Sequence, residues 1–239
     1  MPFDVSLARR EFLGAAVWPF SKKEVAIAGI RFRVERHGGG PARFLQVHGD
    51  ESTARDVLRE AAPAGTSFFV ESATRMVEIG DGRIDPNRMF SRAGAERNLR
   101  RLNPRWNEAQ FANALLELDR DREKFLRALL PGKSSLLVSL HNNGERYTIE
   151  TEAPIGQRVA REGKFTPHEF LLATSAADFE KLEQSGYRCV LQSSAAGPDD
   201  GSLSRLCAAR GIRYVNIEAR LGSSGPQREM LEWVLRNLG

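Results

Sequence analysis

The stretch FLQVHGDESTARDVLREA (residues 44–61) carries three signals in succession. An apolar run ends in His48. Gly49 and Asp50 interrupt it, and Glu51 follows. From Ser52 onward Ala54, Val57, Leu58 and Ala61 recur at helical spacing. This is a buried strand leading through a short loop into an amphipathic helix, the unit from which α/β sheets are built. An imidazole and a carboxylate at the mouth of such a strand have two uses. Glu51 is a favoured charge at a helix N-terminus, or His48 and Glu51 converge on a metal ion, with Gly49 giving the turn its backbone freedom.

Outward from this unit the same kind of pattern continues. EVAIAGIRFRV (24–34) alternates in its second half and reads as a strand, broken by HGGGPA (37–42). TSFFVES (66–72) is a strand, and RMVEIGDGRI (75–84) a hairpin in which Asp81-Gly82 suits a two-residue turn. Phe111, Leu115, Leu118, Phe125 and Leu129 mark a long surface helix over 107–130, stopped by Pro131-Gly132. SLLVSL (135–140) is nearly continuous apolar sequence, as in a parallel strand covered on both faces. Strands follow at 169–174, 188–192 and 213–219, with helices at 176–184, 202–211 and 227–238. In RYVNIEA, alternation sets Val215 and Ile217 on one face and Asn216 and Glu218 on the other. The expected fold is α/β, a mixed, largely parallel twisted sheet with helices on both faces, in one domain over 21–239.

Composition limits the function classes. The 239 residues are 41% apolar and 28% charged, as in a globular chain. No stretch approaches the roughly 20 apolar residues of a membrane span. The net charge of +4 is spread out; the densest basic stretch, RNLRRLNPR (97–105), has no aromatic residue before Trp106, so no nucleic-acid footprint is expected. Cys189 and Cys207 sit in apolar contexts and read as small buried residues, with a single disulfide left open. SLARREFLGAA (6–16) resembles the twin-arginine export signal through Arg9, Arg10, Phe12 and Leu13. The apolar stretch behind it is short, Trp18 and Pro19 interrupt it, and no A-x-A site follows. Residues 1–20 are therefore set apart from the folded core, with a periplasmic and a cytoplasmic location both open.

In α/β sheets, sites lie beyond the carboxyl ends of the strands. His48 with Glu51, His141, and Glu218 each fall at or near such an end. Two imidazoles and a carboxylate make a His₂Glu zinc set that leaves a coordination position open. Between the histidines lies IDPNRMFSR (84–92). The order His48-x-x-Glu51, then Asp85, Asn87 and Arg88, then His141, then Glu218, resembles the zinc carboxypeptidase superfamily: the carboxypeptidase A-like enzymes and the succinylglutamate desuccinylases and aspartoacylases. The resemblance spans residues 44 to about 222.

The resemblance implies a role for each residue. His48, Glu51 and His141 would ligate Zn²⁺, and Glu218 would be the general base. Asp85 would hold the other ring nitrogen of His48. Arg88, assisted by Asn87, would clamp a substrate carboxylate, and a further arginine, Arg75 or Arg83, would polarise the carbonyl oxygen. The chain departs from the carboxypeptidase A-like pattern in one respect. It has no tyrosine between Tyr187 and Tyr214, and Tyr147 is a poor substitute by position. The HGDE form and the short Asn-Arg segment stand closer to the desuccinylase-like branch. The implied activity is zinc-dependent hydrolysis of an amide bond beside a free carboxylate, first as a carboxypeptidase on peptides. The alternatives are an N-acyl amino acid deacylase and a catalytically silent binding module.

Overall fold

The computed structural model describes residues 23–193 and 199–239; the twin-arginine-like stretch lies outside them. Along the chain come β1 (Lys23–Ile27), β2 (Ile30–His37), β3 (Arg43–Gln46), α1 (Ser52–Ala61), β4 (Gly65–Val70), β5 (Val77–Ile79) and β6 (Gly82–Ile84). After a 3₁₀ turn at Pro86–Arg88 follow α2 (Arg92–Leu102), α3 (Glu108–Leu129), β7 (Leu137–Asn143) and α4 (Ile149–Glu152). The chain ends with β8 (Arg158–Ala160), β9 (Phe170–Ala173), α5 (Ala176–Glu183), β10 (Arg188–Leu191), α6 (Leu203–Arg210), β11 (Tyr214–Arg220) and α7 (Ser224–Asn237).

Nine strands share one sheet in the order β1-β2-β4-β3-β7-β11-β9-β10-β8. Its centre, β4-β3-β7-β11, is parallel throughout, as is the β9–β10 pair. The antiparallel pairings are β1–β2, β2–β4, β11–β9 and β10–β8, so the sheet is mixed with a parallel middle. Every residue of β7 is buried, the polar HNN end included, because helices cover both faces of the sheet. One face packs apolar residues of α2, α3 and α6, among them Leu99, Leu118 and Leu203. The other packs those of α1, α5 and α7, among them Val57, Phe179 and Leu231. Cys207 belongs to the first layer and Cys189 to the second; both are free and buried.

Two local expectations are corrected, and one helix was not anticipated. The strand expected over 24–34 is a hairpin: Ala28 and Gly29, at φ 48° and 79°, fold it back between paired Ile27 and Ile30. Two successive positive-φ residues are what a tight two-residue turn between twisted strands needs. In the second hairpin the turn is Gly80-Asp81, because Ile79 pairs with Gly82 and Gly80 takes the positive φ of 56°. Finally, α2 has no long apolar side chain but Leu99 on its buried face, which is otherwise Gly94, Ala95 and Asn98, so hydrophobic periodicity could not reveal it. Among the described residues no helix is long and apolar enough to cross a membrane.

Candidate metal and substrate site

The parallel centre of the sheet assembles the site. Chain just beyond β3 carries His48, β7 carries His141, and β11 carries Glu218. The β7–β11 register sets Glu218 directly beside His141. Asn216 and Glu218 lie on the face opposite Val215, Ile217 and Ala219, which enter the apolar layer with α7.

The His48–Glu51 loop is tight, with the Glu51 amide bonded to His48 O at 3.3 Å and the Ser52 amide to Asp50 O at 3.0 Å. Gly49 is needed here for a reason other than its torsion angle. It is not among the positive-φ glycines, but a Cβ on it would lie 2.2 Å from Ser72 O. The loop is pressed against the chain leaving β4, with the Gly49 amide on Thr74 O. Glu51 occupies the N-cap position of α1 without making a side-chain cap bond. Its carboxylate points to the histidines: Oε1 lies 2.8 Å from His48 Nδ1, and Oε2 3.2 Å from His141 Nδ1. His48, Glu51 and His141, all buried, each offer one ligand atom within 4.8 Å of the others.

On its far side His48 Nε2 meets Asp85 Oδ1 at 2.8 Å. The same Asp85 oxygen accepts the Asn87 amide, capping the 3₁₀ turn, and the Asp85 amide donates to Asn98 Oδ1 on α2. One carboxylate thus both caps the turn and holds His48.

Burial alone would depress the His48 pKa, but the Glu51 charge and the Asp85 and Glu51 hydrogen bonds outweigh it and raise the imidazole to about 9. Burial would raise Glu51, yet the two histidines hold it well below the usual carboxylate range. Asp85, also pushed up by burial, is brought down to about 2 mainly by His48. Glu218 goes the other way. Burial raises its pKa despite His141 and the bonds donated by Asn216 Nδ2 at 3.0 Å and Asn143 Nδ2 at 3.2 Å.

The donor set fits a zinc ion. Two imidazole nitrogens and a carboxylate are the ligand types zinc takes. An Asp–His pair that fixes the outer nitrogen is the usual support of a ligating histidine. Glu51 Oε2, buried between the rings, has no well-aligned donor, only His141 Nδ1 at 3.2 Å, and a cation would satisfy it.

Beyond Glu218 opens a cavity of about 60 Å³ that Asn87, Arg88, Tyr147 and Glu152 also line. Arg88 donates to Asn87 O at 3.0 Å and lies 3.6 Å from Asp200 Oδ2. Arg75 donates to Glu51 Oε1 at 2.9 Å. Arg83 has its amide on Asn103 Oδ1 and an exposed side chain, so of the two arginines Arg75 is the one in contact with the cluster. Tyr147, set aside on position alone, shares the cavity with Glu218. Its hydroxyl donates to Glu152, and burial, then Glu218 and Glu152, push its pKa upward. Glu152, Gln192 and Asn216 were also missed. None belongs to a motif, and Asn216 alone had a signal, its alternation with Glu218.

This chain is similar in structure to succinylglutamate desuccinylase/aspartoacylase proteins. With one from Rhodobacter sphaeroides it shares 15% identity and a TM-score of 0.42, covering 88% of this chain and 59% of that one. With a succinylglutamate desuccinylase from Silicibacter sp. TM1040 the identity is 16% and the TM-score 0.45, over 88% and 60% of the two chains. The chain therefore spans about three fifths of the length of these two. A provisionally named metallopeptidase from Shewanella baltica OS155 is 12% identical with a TM-score of 0.45, over 91% of this chain and 87% of that one. No protein-family model and no curated protein sequence matches.

Proposed function

We propose that the chain is a zinc-dependent hydrolase of an amide bond beside a free carboxylate, acting in the first reading on the C-terminal residue of a peptide. The observation that supports this best is a juxtaposition. The His48–Glu51–His141 cluster adjoins Glu218 across paired strands, and Glu218 lines the same cavity as Arg88.

His48, Glu51 and His141 would hold the ion, with Asp85 keeping the His48 proton on Nε2 so that Nδ1 is free to ligate. Zinc bound there would polarise the scissile carbonyl and lower the pKa of water beside it. Burial raises the Glu218 pKa above its ordinary value, which strengthens it as a proton acceptor, and it would return the proton to the leaving nitrogen. The Asn216 and Asn143 amides each occupy one of its oxygens and so fix the carboxylate's orientation. The Arg88 guanidinium, held only loosely by Asp200, would exchange that partner for two parallel bonds to the substrate carboxylate. Arg75 would present its charge to the carbonyl oxygen. The small cavity suits a compact leaving residue, and an N-acyl amino acid is read by the same groups.

Glu218→Gln is the deciding variant. It keeps the size of the side chain and one of the two accepting oxygens but cannot take the proton. Zinc content and substrate affinity should be retained while turnover falls about 10²–10⁴-fold. Undiminished turnover would remove Glu218 from the mechanism, and lost zinc would make it a ligand.

A further inference from the structure

The apolar stripe of α3 is broken at one place. Leu115, Leu118, Phe125, Leu126 and Leu129 are buried along one face, and Arg122 is buried among them, one helical turn from Leu118 and from Leu126. It is 8% exposed. A leucine there would complete the stripe, and exchanging a buried charge for an apolar side chain is often neutral or stabilising. The guanidinium is also incompletely satisfied. Nη1 meets Asp119, Nε donates to Met89 O at 2.9 Å, and Nη2 is buried without a hydrogen bond among the described residues. Burial, and then the charge of Arg92, push its pKa down. Asp119 does not depend on it, because Arg92 is a second partner. Stability alone therefore gives no account of a guanidinium at this position.

What Arg122 touches gives one. Met89 directly follows Arg88. The Arg88 side chain is lightly held, by the neighbouring Asn87 O and by a partly exposed Asp200 at 3.6 Å, so its aim depends on the backbone behind it. Three successive groups of that backbone are anchored. Arg88 O packs on Gly201, where a Cβ would come within 2.3 Å of it. Phe90 N donates to Gly201 O at 3.1 Å. Between these two, Met89 O takes its bond from Arg122, which ties the turn to a helix of 22 residues. We propose that Arg122 is a positioning residue: its Nε–H bond to Met89 O fixes the backbone from which Arg88 reaches the substrate carboxylate. This rests on the reading of Arg88 as the carboxylate clamp. A planar fork needs aim as well as charge, and a misplacement of about 1 Å can cost on the order of 100-fold.

Two substitutions separate the bond from the charge. The amide nitrogen of glutamine stands as many bonds from Cα as arginine Nε does. Arg122→Gln therefore keeps an N–H donor for Met89 O and loses the charge, whereas Arg122→Met puts a methyl group there and loses both. Each is made in the zinc-loaded Glu218→Gln protein, in which turnover is slowed. Calorimetric titration compares N-acetylalanyl dipeptides of varied C-terminal residue with their C-terminal amides. The parent should prefer the free acid by roughly 10- to 100-fold. Arg122→Met should cut that preference about tenfold, with a denaturation midpoint no lower than that of Arg122→Gln. Arg122→Gln should keep the preference within about twofold. A merely structural arginine would instead show a lowered midpoint with the preference intact, and that result would overturn the proposal. Equal losses in both variants would also overturn it, by assigning the effect to charge. Should Arg122→Met not fold, Arg122→Leu takes its place, and failure of both to fold would make Arg122 structural and overturn the proposal. A parent without acid preference would overturn the clamp and this proposal with it, whereas an acid preference unmoved by Arg122→Met would overturn this proposal and leave the clamp standing.

Discussion

His48 is gripped from both sides, by Glu51 at Nδ1 and Asp85 at Nε2, each at 2.8 Å. Without metal, a proton at Nδ1 takes the place an ion would occupy, which is why the imidazole titrates near 9 instead of 6.5. The consequence for metal-free protein has a definite sign. A pKa raised on folding contributes stability that is whole below 6.5 and is lost as pH rises through about 9. On the acid side Asp85, held at about 2 against an ordinary 3.8, contributes above 3.8 and is lost as pH falls through 2. Chemical denaturation of the chelated protein at pH 6, 8 and 10 should show the alkaline decline, and His48→Gln should flatten it. An equal decline in that variant would assign the effect to another group.

The loop between β3 and α1 is the element on which the cluster depends. It carries two of the three donors, and it fits against Ser72 and Thr74 only because residue 49 lacks a side chain. The obstacle to Gly49→Ala is backbone on both sides, which cannot rotate away. The variant should lose roughly 1–3 kcal/mol of stability and bind zinc more weakly, read by denaturant titration and metal competition. Wild-type values for both would show that the loop has slack. The helix α2 bears on the same site from behind, since its Asn98 accepts the Asp85 amide. Its contact face is built of Gly94, Ala95 and Asn98, which allow backbones to approach: a Cβ on Gly94 would lie 2.1 Å from Gly201 N. Close packing of this kind leaves no apolar stripe in a sequence, whereas α3, with Phe111, Leu115, Leu118 and Phe125 facing the core, announced itself.

Across the whole molecule the site joins segments far apart in the chain. The cluster ties the β3 loop to β7, so ion binding should favour the folded state alone. At zinc about 100-fold above its Kd the gain is about 2.7 kcal/mol, or roughly 5–10 °C in Tm. Calorimetric scans with and without chelator measure it, and an unchanged Tm would mean that no ion bridges these strands. The proposed carboxylate clamp is similarly composite. The Arg88 carbonyl packs against Gly201, whose φ of 80° and close approach hold the Asp200 segment against the 3₁₀ turn. Arg88→Lys keeps the charge but loses the two-pronged geometry. It should lower kcat/KM for substrates with a free carboxylate, while amidated analogues, already poor, lose little. Equal losses on both would rule out the clamp.

The sequence by itself determined the alternation of strands and helices, the positions of His48, Glu51, Asp85, Arg88, His141 and Glu218 along it, and the face on which Glu218 lies. Those features are local: periodicity follows from backbone geometry, and residues at strand ends fall together whenever the strands are parallel neighbours. Which strands are neighbours is not local. The β3-β7-β11 order, with β9 reversed beside it, is a choice of pairing among distant segments. So is the single contact to Glu51 that brings Arg75, and not Arg83, to the cluster. Tyr147, Glu152 and Gln192 lie in a loop, at a helix end and beyond β10. No spacing rule relates them. Only the packed sheet brings their hydrogen bonds together around Glu218, because a cavity is defined by the surfaces that meet there and not by the order in which the chain supplies them.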